Sequence, residues 1–475
     1  VYLRFSLIVL MVWFVQPAYA KGTEAVINEI KAKYQNTLSI DAFSLRYHFL
    51  NNVYRSQNYW DMQTPNRHMS IRSIDVDMVN KHFYDNDILY FAGGRLYDRV
   101  QFQNDTHSYF YEKNASTIGK GVISRGMDNF DRALPYTLSN VDFLAIRPLL
   151  RESEIKKHVK VTYNNEANTF LITHQNANQK TIKYVFDATT LRLKSLDLGE
   201  GGGRFEYNNV QTINGFTLAT EVNKYYTGDS SPTYISFNAD FYVIDKIDSD
   251  KLTLPAGYGP IIKAGDGVRQ ATKIAENLYV VTDSSARHNS VFQVNGDEIT
   301  LFGASPSERV ARQTLNLIKQ QFPTKRITSA FITHPHLGQI RGVKVLVEQG
   351  IEILADAYSI SAIKAYGPFA PHIENFKFKQ IEHEQVIQGA QFYILENMSA
   401  KRQGFVYFKD AQIIFQSGFM HIPYDNTIAT VVPNYTRAFI RFIREEGLVF
   451  KRIVGNFNNN NISVEVVDKT YEAKM

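Results

Sequence analysis

The chain has 475 residues, 44% of them hydrophobic and 13% aromatic, with a formal net charge of +5 and no cysteine. That length and apolar content exclude a disordered chain and predict two or more domains with ample core. The missing cysteines exclude disulfide staples and thiolate metal sites, and basic residues interspersed with acids exclude a continuous nucleic-acid-binding stripe.

Residues 1–20 form a segment of their own. "VYLRFS" carries one cation, Arg4; "LIVLMVWFV" is a short apolar core; "QPAYA" ends in Ala18-Tyr19-Ala20, a small–x–small site. This layout predicts a cleavable secretory signal and a periplasmic or secreted product. The apolar run is too short for a permanent anchor, and no later segment has the length and apolarity to cross a membrane, so no transmembrane anchor is expected after cleavage. Lys21 follows the cut, where a lipid-anchored protein would need Cys.

Residues 24–37 predict a short amphipathic helix with Ala25, Ile27, Ile30 and Tyr34 on one face. From about 38 to 250 bulky apolar and polar residues alternate, which predicts antiparallel strands with one solvated or groove-lining face. "TFLITHQNANQKTIKYVFD" predicts a hairpin turning over 176–179, and "RFEYNNVQTINGFTLATEVNKYYT" one turning at Asn214-Gly215. The aromatic run Tyr47, Phe49, Tyr54, Tyr59 and Trp60 serves either ordinary β core with exposed tyrosines or a groove lining; the first is favoured. The hairpin pattern is loosely similar to periplasmic lipoprotein-carrier folds, a similarity of architecture alone, which implies a curved sheet and an apolar-ligand or lipid carrier.

"LTLPAGYGP", 252–260, is rich in Gly and Pro and marks a boundary. Beyond it, strands are predicted over 278–282, 290–294 and 298–302. Then "SPSERVARQTLNLIKQQF" predicts a helix capped by Ser305, with Pro306 first, Glu308 closing a capping box, and Val310, Thr314, Leu317 and Ile318 facing inward. "RITSAFIT" predicts a buried strand, "GQIRGVKVLVEQG" one helix ending at Gly350, "IEILAD" a strand and "DAYSISAIKAYG" a helix. "GASPS" lacks the spacing of a nucleophile elbow, and "GEGGGR" lacks the strand–helix frame of a phosphate loop.

The most chemical stretch is "ITHPHLGQI", with His334 and His336 one residue apart after an apolar run. Together with "NLYVVTDSSARHNSVFQV", "LFGASPSERVARQTLNLIKQQFPTKRITSAFITHPH", "RQGFVYFKDAQIIFQSGFMHIP" and "FKRIVGNF", it resembles the metallo-β-lactamase fold superfamily, in particular secreted bacterial members with an extra N-terminal domain. The resemblance covers about 274–457. It implies a four-layer αββα sandwich that typically binds two zinc ions at one sheet edge and hydrolyses substrate with a metal-held hydroxide.

On that resemblance the family's H-x-H-x-D-H loop falls on His334, His336, Gly338 and Gln339, so the acid is a glycine and the last histidine an amide. The third histidine of the first metal site is expected at Lys401, the bridging acid at Gly418 and the final histidine at Phe457. A catalytic zinc needs three protein ligands and a water. Glycine supplies no ligand, a lysine ammonium repels a metal cation, and a glutamine carbonyl is weak beside imidazole or carboxylate. The inherited two-metal site is therefore expected not to assemble. His421 opens an alternative, a displaced mononuclear zinc site of His334, His336 and His421 helped by Asp425 or His288. The ordinary alternative for His288 is a polar loop capping a strand end, and His372 and His383, amid charged and polar residues, are expected to be solvated.

The sequence thus predicts an α+β chain: a signal over 1–20, an antiparallel β-rich domain over 21–255 and a metallo-β-lactamase-like sandwich over 256–475. The expected function is non-catalytic binding of a small molecule or protein, with no cofactor and no nucleic acid. A metal-dependent hydrolase with a rebuilt mononuclear site and an apolar-ligand carrier are the alternatives.

Overall fold

The computed structural model describes residues 22–51, 68–91, 95–113, 120–151, 159–175, 179–199, 202–226, 231–262, 267–283, 287–429 and 432–473. The expected signal over 1–20, most of the expected 176–179 turn, and Tyr54, Tyr59 and Trp60 lie outside the described residues. No helix among the described residues is long and apolar enough to cross a membrane.

The first half builds one sheet. In chain order its strands are β1 (Ala42–Asn51), β2 (His68–Asp77), β3 (His82–Phe91), β4 (Arg95–Gln103), β5 (Ser108–Glu112), β6 (Val122–Arg125) and β7 (Val159–Asn164). There follow β8 (Thr169–Gln175), β9 (Thr181–Asp187), β10 (Leu193–Asp197), β11 (Arg204–Ile213), β12 (Phe216–Tyr225), β13 (Tyr234–Val243) and β14 (Ile261–Ile262). Their order is β14-β6-β5-β4-β3-β2-β1-β13-β12-β11-β10-β9-β8-β7. The pairings are antiparallel throughout, except that β14 adds to β6 in parallel. The β11–β12 hairpin turns at Asn214-Gly215, as the sequence predicts. Alternation puts Phe43, Leu45, Tyr184, Phe186 and Phe241 on one face. There they pack with α1 (Thr23–Tyr34), α2 (Asn129–Leu138), α3 (Asp142–Ala145) and α4 (Arg147–Arg151). In α1 the buried residues are Val26, Ile27, Ile30 and Tyr34, so three of the four expected face residues are buried and Val26 takes the place of the exposed Ala25.

The second half builds two sheets. The first runs β15 (Gln270–Ala275), β16 (Leu278–Thr282), β17 (Ser290–Asn295), β18 (Glu298–Phe302), β19 (Arg326–Phe331), β20 (Glu352–Ala355) and β21 (Phe378–Gln380), adjacent in chain order. Its last four strands are parallel, because helices cross between them: α5 (Glu308–Gln321), α6 (Leu337–Ile340), α7 (Val343–Val347) and α8 (Ala357–Lys364). The second runs β22 (Val386–Ile387), β23 (Ala390–Leu395), β24 (Gln403–Phe408), β25 (Ile413–Gln416) and β26 (Arg452–Gly455), with α9 (Asn434–Glu445) before β26 and α10 (Val464–Glu472) after it. Phe302 and Phe331 of one sheet meet Phe392 and Phe415 of the other in a shared core. Ala311, Leu315 and Ile318 of α5 pack with Leu301 and Ile353. Phe439, Ile440 and Ile443 of α9 pack with Phe405 and Ile414.

Two local expectations need correction. The cap of α5 is Ser307, whose Oγ accepts from the Val310 amide at 3.3 Å; Ser305 is instead buried and donates to the Gln339 carbonyl at 2.6 Å. The single helix expected over 338–350 is two short ones, α6 and α7, broken at Gly342. A Cβ on Gly342 would stand 2.5 Å from the Ser307 carbonyl oxygen, so only glycine lets the two segments touch. Gly342→Ala is expected to cost about 1–3 kcal/mol through this backbone collision. An unchanged urea unfolding midpoint would contradict it.

Candidate functional site

The candidate site forms where the parallel strands of the seven-stranded sheet end. β19 delivers Thr333, His334 and His336, all buried. The Thr333 carbonyl accepts from the Gly404 amide at 2.6 Å, which fixes this loop to β24 of the other sheet. The two imidazoles meet edge to face, with ring centroids 4.3 Å apart at 86°. His334 Nδ1 lies 2.9 Å from Thr333 Oγ1. Burial, then the neighbouring His336 and His421, hold the His334 imidazole well below its ordinary range, so it is neutral. His421 is thus close enough to act on His334.

Gly418 faces this pair at φ +85°; a Cβ there would stand 3.6 Å from His334 Cε1 and 2.8 Å from Gln403 Nε2. Gln403 is buried, donates to the Ser417 carbonyl and accepts from Asn397 Nδ2 at 3.0 Å. Gln339 Nε2 donates to Ser417 Oγ and to Asn456 Oδ1, both at 2.9 Å. Asn456 Nδ2 in turn donates to the carbonyls of Asn289 and Gly303. Gln416 closes the far side, accepting from the amides of Phe419 and Met420 and donating to the Met420 carbonyl. The result is a continuous seam of buried, hydrogen-bonded amides and one hydroxyl.

The expected positions distribute unevenly around this seam. His334, His336, Gln339 and Gly418 lie together, while Gly338 sits beside Gln339 in α6. Lys401 puts its ammonium 5.5 Å from the Tyr358 ring centroid, and it is Gln403, two residues on, that packs against Gly418. The Phe457 ring packs on His288 with centroids 5.1 Å apart, and Asn456, one residue earlier, enters the seam. Of these neighbouring residues it is Gln403 and Asn456 whose side chains enter the seam. Asn289, Gln403, Gln416 and Asn456 are the participants that sequence reasoning missed. His288 is buried over much of its surface and His383 bonds the Ile394 backbone.

No family model matches the chain. Two curated proteins, the type 2 metallo-beta-lactamases of Bacillus cereus and of Bacillus sp. (strain 170), are each 24% identical to it over 140 residues, 27% of this chain and 54% of the relative. These matches support a likeness of this chain to the metallo-β-lactamase fold superfamily. It spans about half the length of the curated relatives it matches. Among solved structures, the metallo-beta-lactamase FIM-1 of Pseudomonas aeruginosa in its mono-zinc form is 15% identical, covering 43% of this chain and 93% of that one with a TM-score of 0.34. A metallo-beta-lactamase of Hirschia baltica is 12% identical, covering 43% and 96% with a TM-score of 0.35. Superpositions at that level add nothing to the assignment.

The superfamily's two-zinc chemistry can be tested against this donor set, and it does not fit. Among the described residues no group of three or more His, Cys, Asp or Glu is arranged to hold a metal ion. Across from the imidazole pair stand a glycine and amides already bound to one another, where zinc needs anionic or imidazole donors turned toward it.

Two expectations follow. Gln339→Met keeps the volume but strips Ser417 and Asn456 of their donor; it should cost about 1–3 kcal/mol in chemical denaturation, and no loss would contradict the seam's importance. The second concerns pH. Burial, then Arg287 and Arg269, push the His288 imidazole from 6.5 down to about 4. The unfolded chain takes up these protons near 6.5 while folded His288 and His334 do not. Stability is therefore full above about 6.5 and falls as pH drops toward 4. A denaturation midpoint that is flat from pH 7 to 4.5 would contradict this.

Proposed function

We propose that this protein is a non-catalytic metallo-β-lactamase-fold protein that acts by binding a small molecule or a protein partner. One observation carries the reading: Gln339, Ser417 and Asn456 hydrogen-bond one another where the superfamily's metal donors would converge. Making hydroxide at neutral pH requires a cation held by several donors, with an open position for water. Gly418 and the amide seam provide neither. The four-layer αββα order belongs to the same proposal, supported by the three successive cores on either side of and between the two sheets. So does the division into a signal, an N-terminal β-rich domain and a C-terminal domain, with export suggested by residues 1–20.

A second reading has one observation in its favour. His421 lies near enough to His334 to oppose its protonation, beside the packed His334–His336 pair. A hydrolase with a mononuclear site on these three residues would be built from that group. Elemental analysis of the protein, purified without a histidine tag after incubation with zinc, iron or manganese and desalting, separates the two. The first reading expects metal far below one ion per chain in a fully folded protein. One bound ion per chain, lost in His336→Ala, would overturn it in favour of the second.

A further inference from the structure

We propose that the concave face of the first sheet is a binding site for a small organic anion with a flat aromatic body. A cavity of about 640 Å³ lies there, between the sheet and α2, within the roughly 300–1,000 Å³ range of small-molecule sites. Its walls draw on β6 through Arg125 and on β12 through Lys224, strands seven places apart in the sheet, so the sheet curls around the space.

The charges in the lining do not balance. Asp85 is the one carboxylate among the described lining residues, and Arg72 already holds it from Nε at 2.8 Å and from Nη2. Arg132 pairs with Asp128 at 3.2 Å. Lys224 and Arg125 have no carboxylate partner among the described residues. Lys224 Nζ instead lies 4.7 Å from the ring centroid of Tyr136, 5.0 Å from that of Tyr226 and 5.4 Å from that of Phe205. Arg125 stacks its guanidinium 5.4 Å from the Phe110 centroid. Burial, then a neighbouring cation, pushes both groups below their ordinary range, Lys224 through Arg72 and Arg125 through Arg287 and Arg132. Each of these half-buried cations lacks a carboxylate to offset its loss of water, and an anion beside it removes that penalty.

The body of the ligand follows from the rest of the wall. Phe49 and Tyr234 are stacked at 4.8 Å beside the aromatic group around Lys224, which offers ring faces to a flat partner. A long acyl chain has less to gain. The aliphatic and phenyl groups at the other end, Ile74, Val76, Phe83 and Phe130, are at most 5% exposed because they already pack into the core. The apolar-ligand carrier suggested by the hairpin pattern is therefore the less favoured occupant.

Calorimetric titration of the full chain with 2-naphthoate and with its neutral isostere 2-naphthamide tests the proposal. Saturable one-to-one binding of the naphthoate is expected, with the amide about tenfold weaker or worse, the equivalent of one lost charge-assisted contact. Added salt should narrow the gap. Lys224→Met should abolish the preference, and Lys224→Arg should keep it, with both variants melting as folded proteins. If Lys224→Met does not fold, Arg125→Gln takes its place, with the same expected loss. Equal affinity for the two ligands, no saturable naphthoate binding, or an undiminished preference in folded Lys224→Met would each overturn the proposal. So would tighter binding of the neutral probe N-phenyl-1-naphthylamine, which would instead favour an apolar ligand.

Discussion

The hydrogen bonds from Gln339 to Ser417 and Asn456 are the interaction on which the second half depends. They join α6, the end of β25 and the end of β26, and through Asn456 they reach the turns before β17 and after β18. Both sheets are thus tied at one edge. The polarity of the groups explains why amides suit the place. Metal donors all present lone pairs inward and need a cation to reconcile them. An amide both donates and accepts, so a ring of amides and a hydroxyl satisfies itself without any net charge. The edge is closed by groups that satisfy one another without an ion.

The two halves therefore present different chemistry. In the second half the polar residues at the sheet edge spend their hydrogen-bonding capacity on each other. In the first half, cations line a cavity whose one carboxylate among the described residues is already engaged. Recognition of a ligand requires polar groups still able to gain from a new partner, and by that measure the first sheet is better prepared than the inherited pocket.

Much of the fold is legible in the sequence, because alternation and helical periodicity report which face is buried. The strands over 278–282 and 298–302 and the turn at Asn214-Gly215 stand where the pattern places them. The failures are tertiary. Ser305 has the right chemistry for a cap, but its hydroxyl is taken by the Gln339 carbonyl, and Ser307 does the capping. The break at Gly342 answers to a carbonyl thirty-five positions earlier in the chain, which no local pattern records. At the site, His334 and His336 are visible as residue types. Gln403 and Asn456 are not, because an amide signals nothing until its burial is known. The run Asn458 to Asn461 just after β26 is the nearest sign the sequence offers.

The short parallel strand β14 has a bearing on how this molecule can be cut. Ile261 and Ile262 lie beyond the Gly- and Pro-rich stretch that the sequence marks as a boundary, yet they pair with Val122 and Ile123. They shield the outer rim of β6, a row of amide and carbonyl groups that would otherwise invite another chain to add itself. A fragment ending before Ile261 would bare that rim. Expression of the first half alone should therefore carry the chain through Ile262 if it is to stay dispersed.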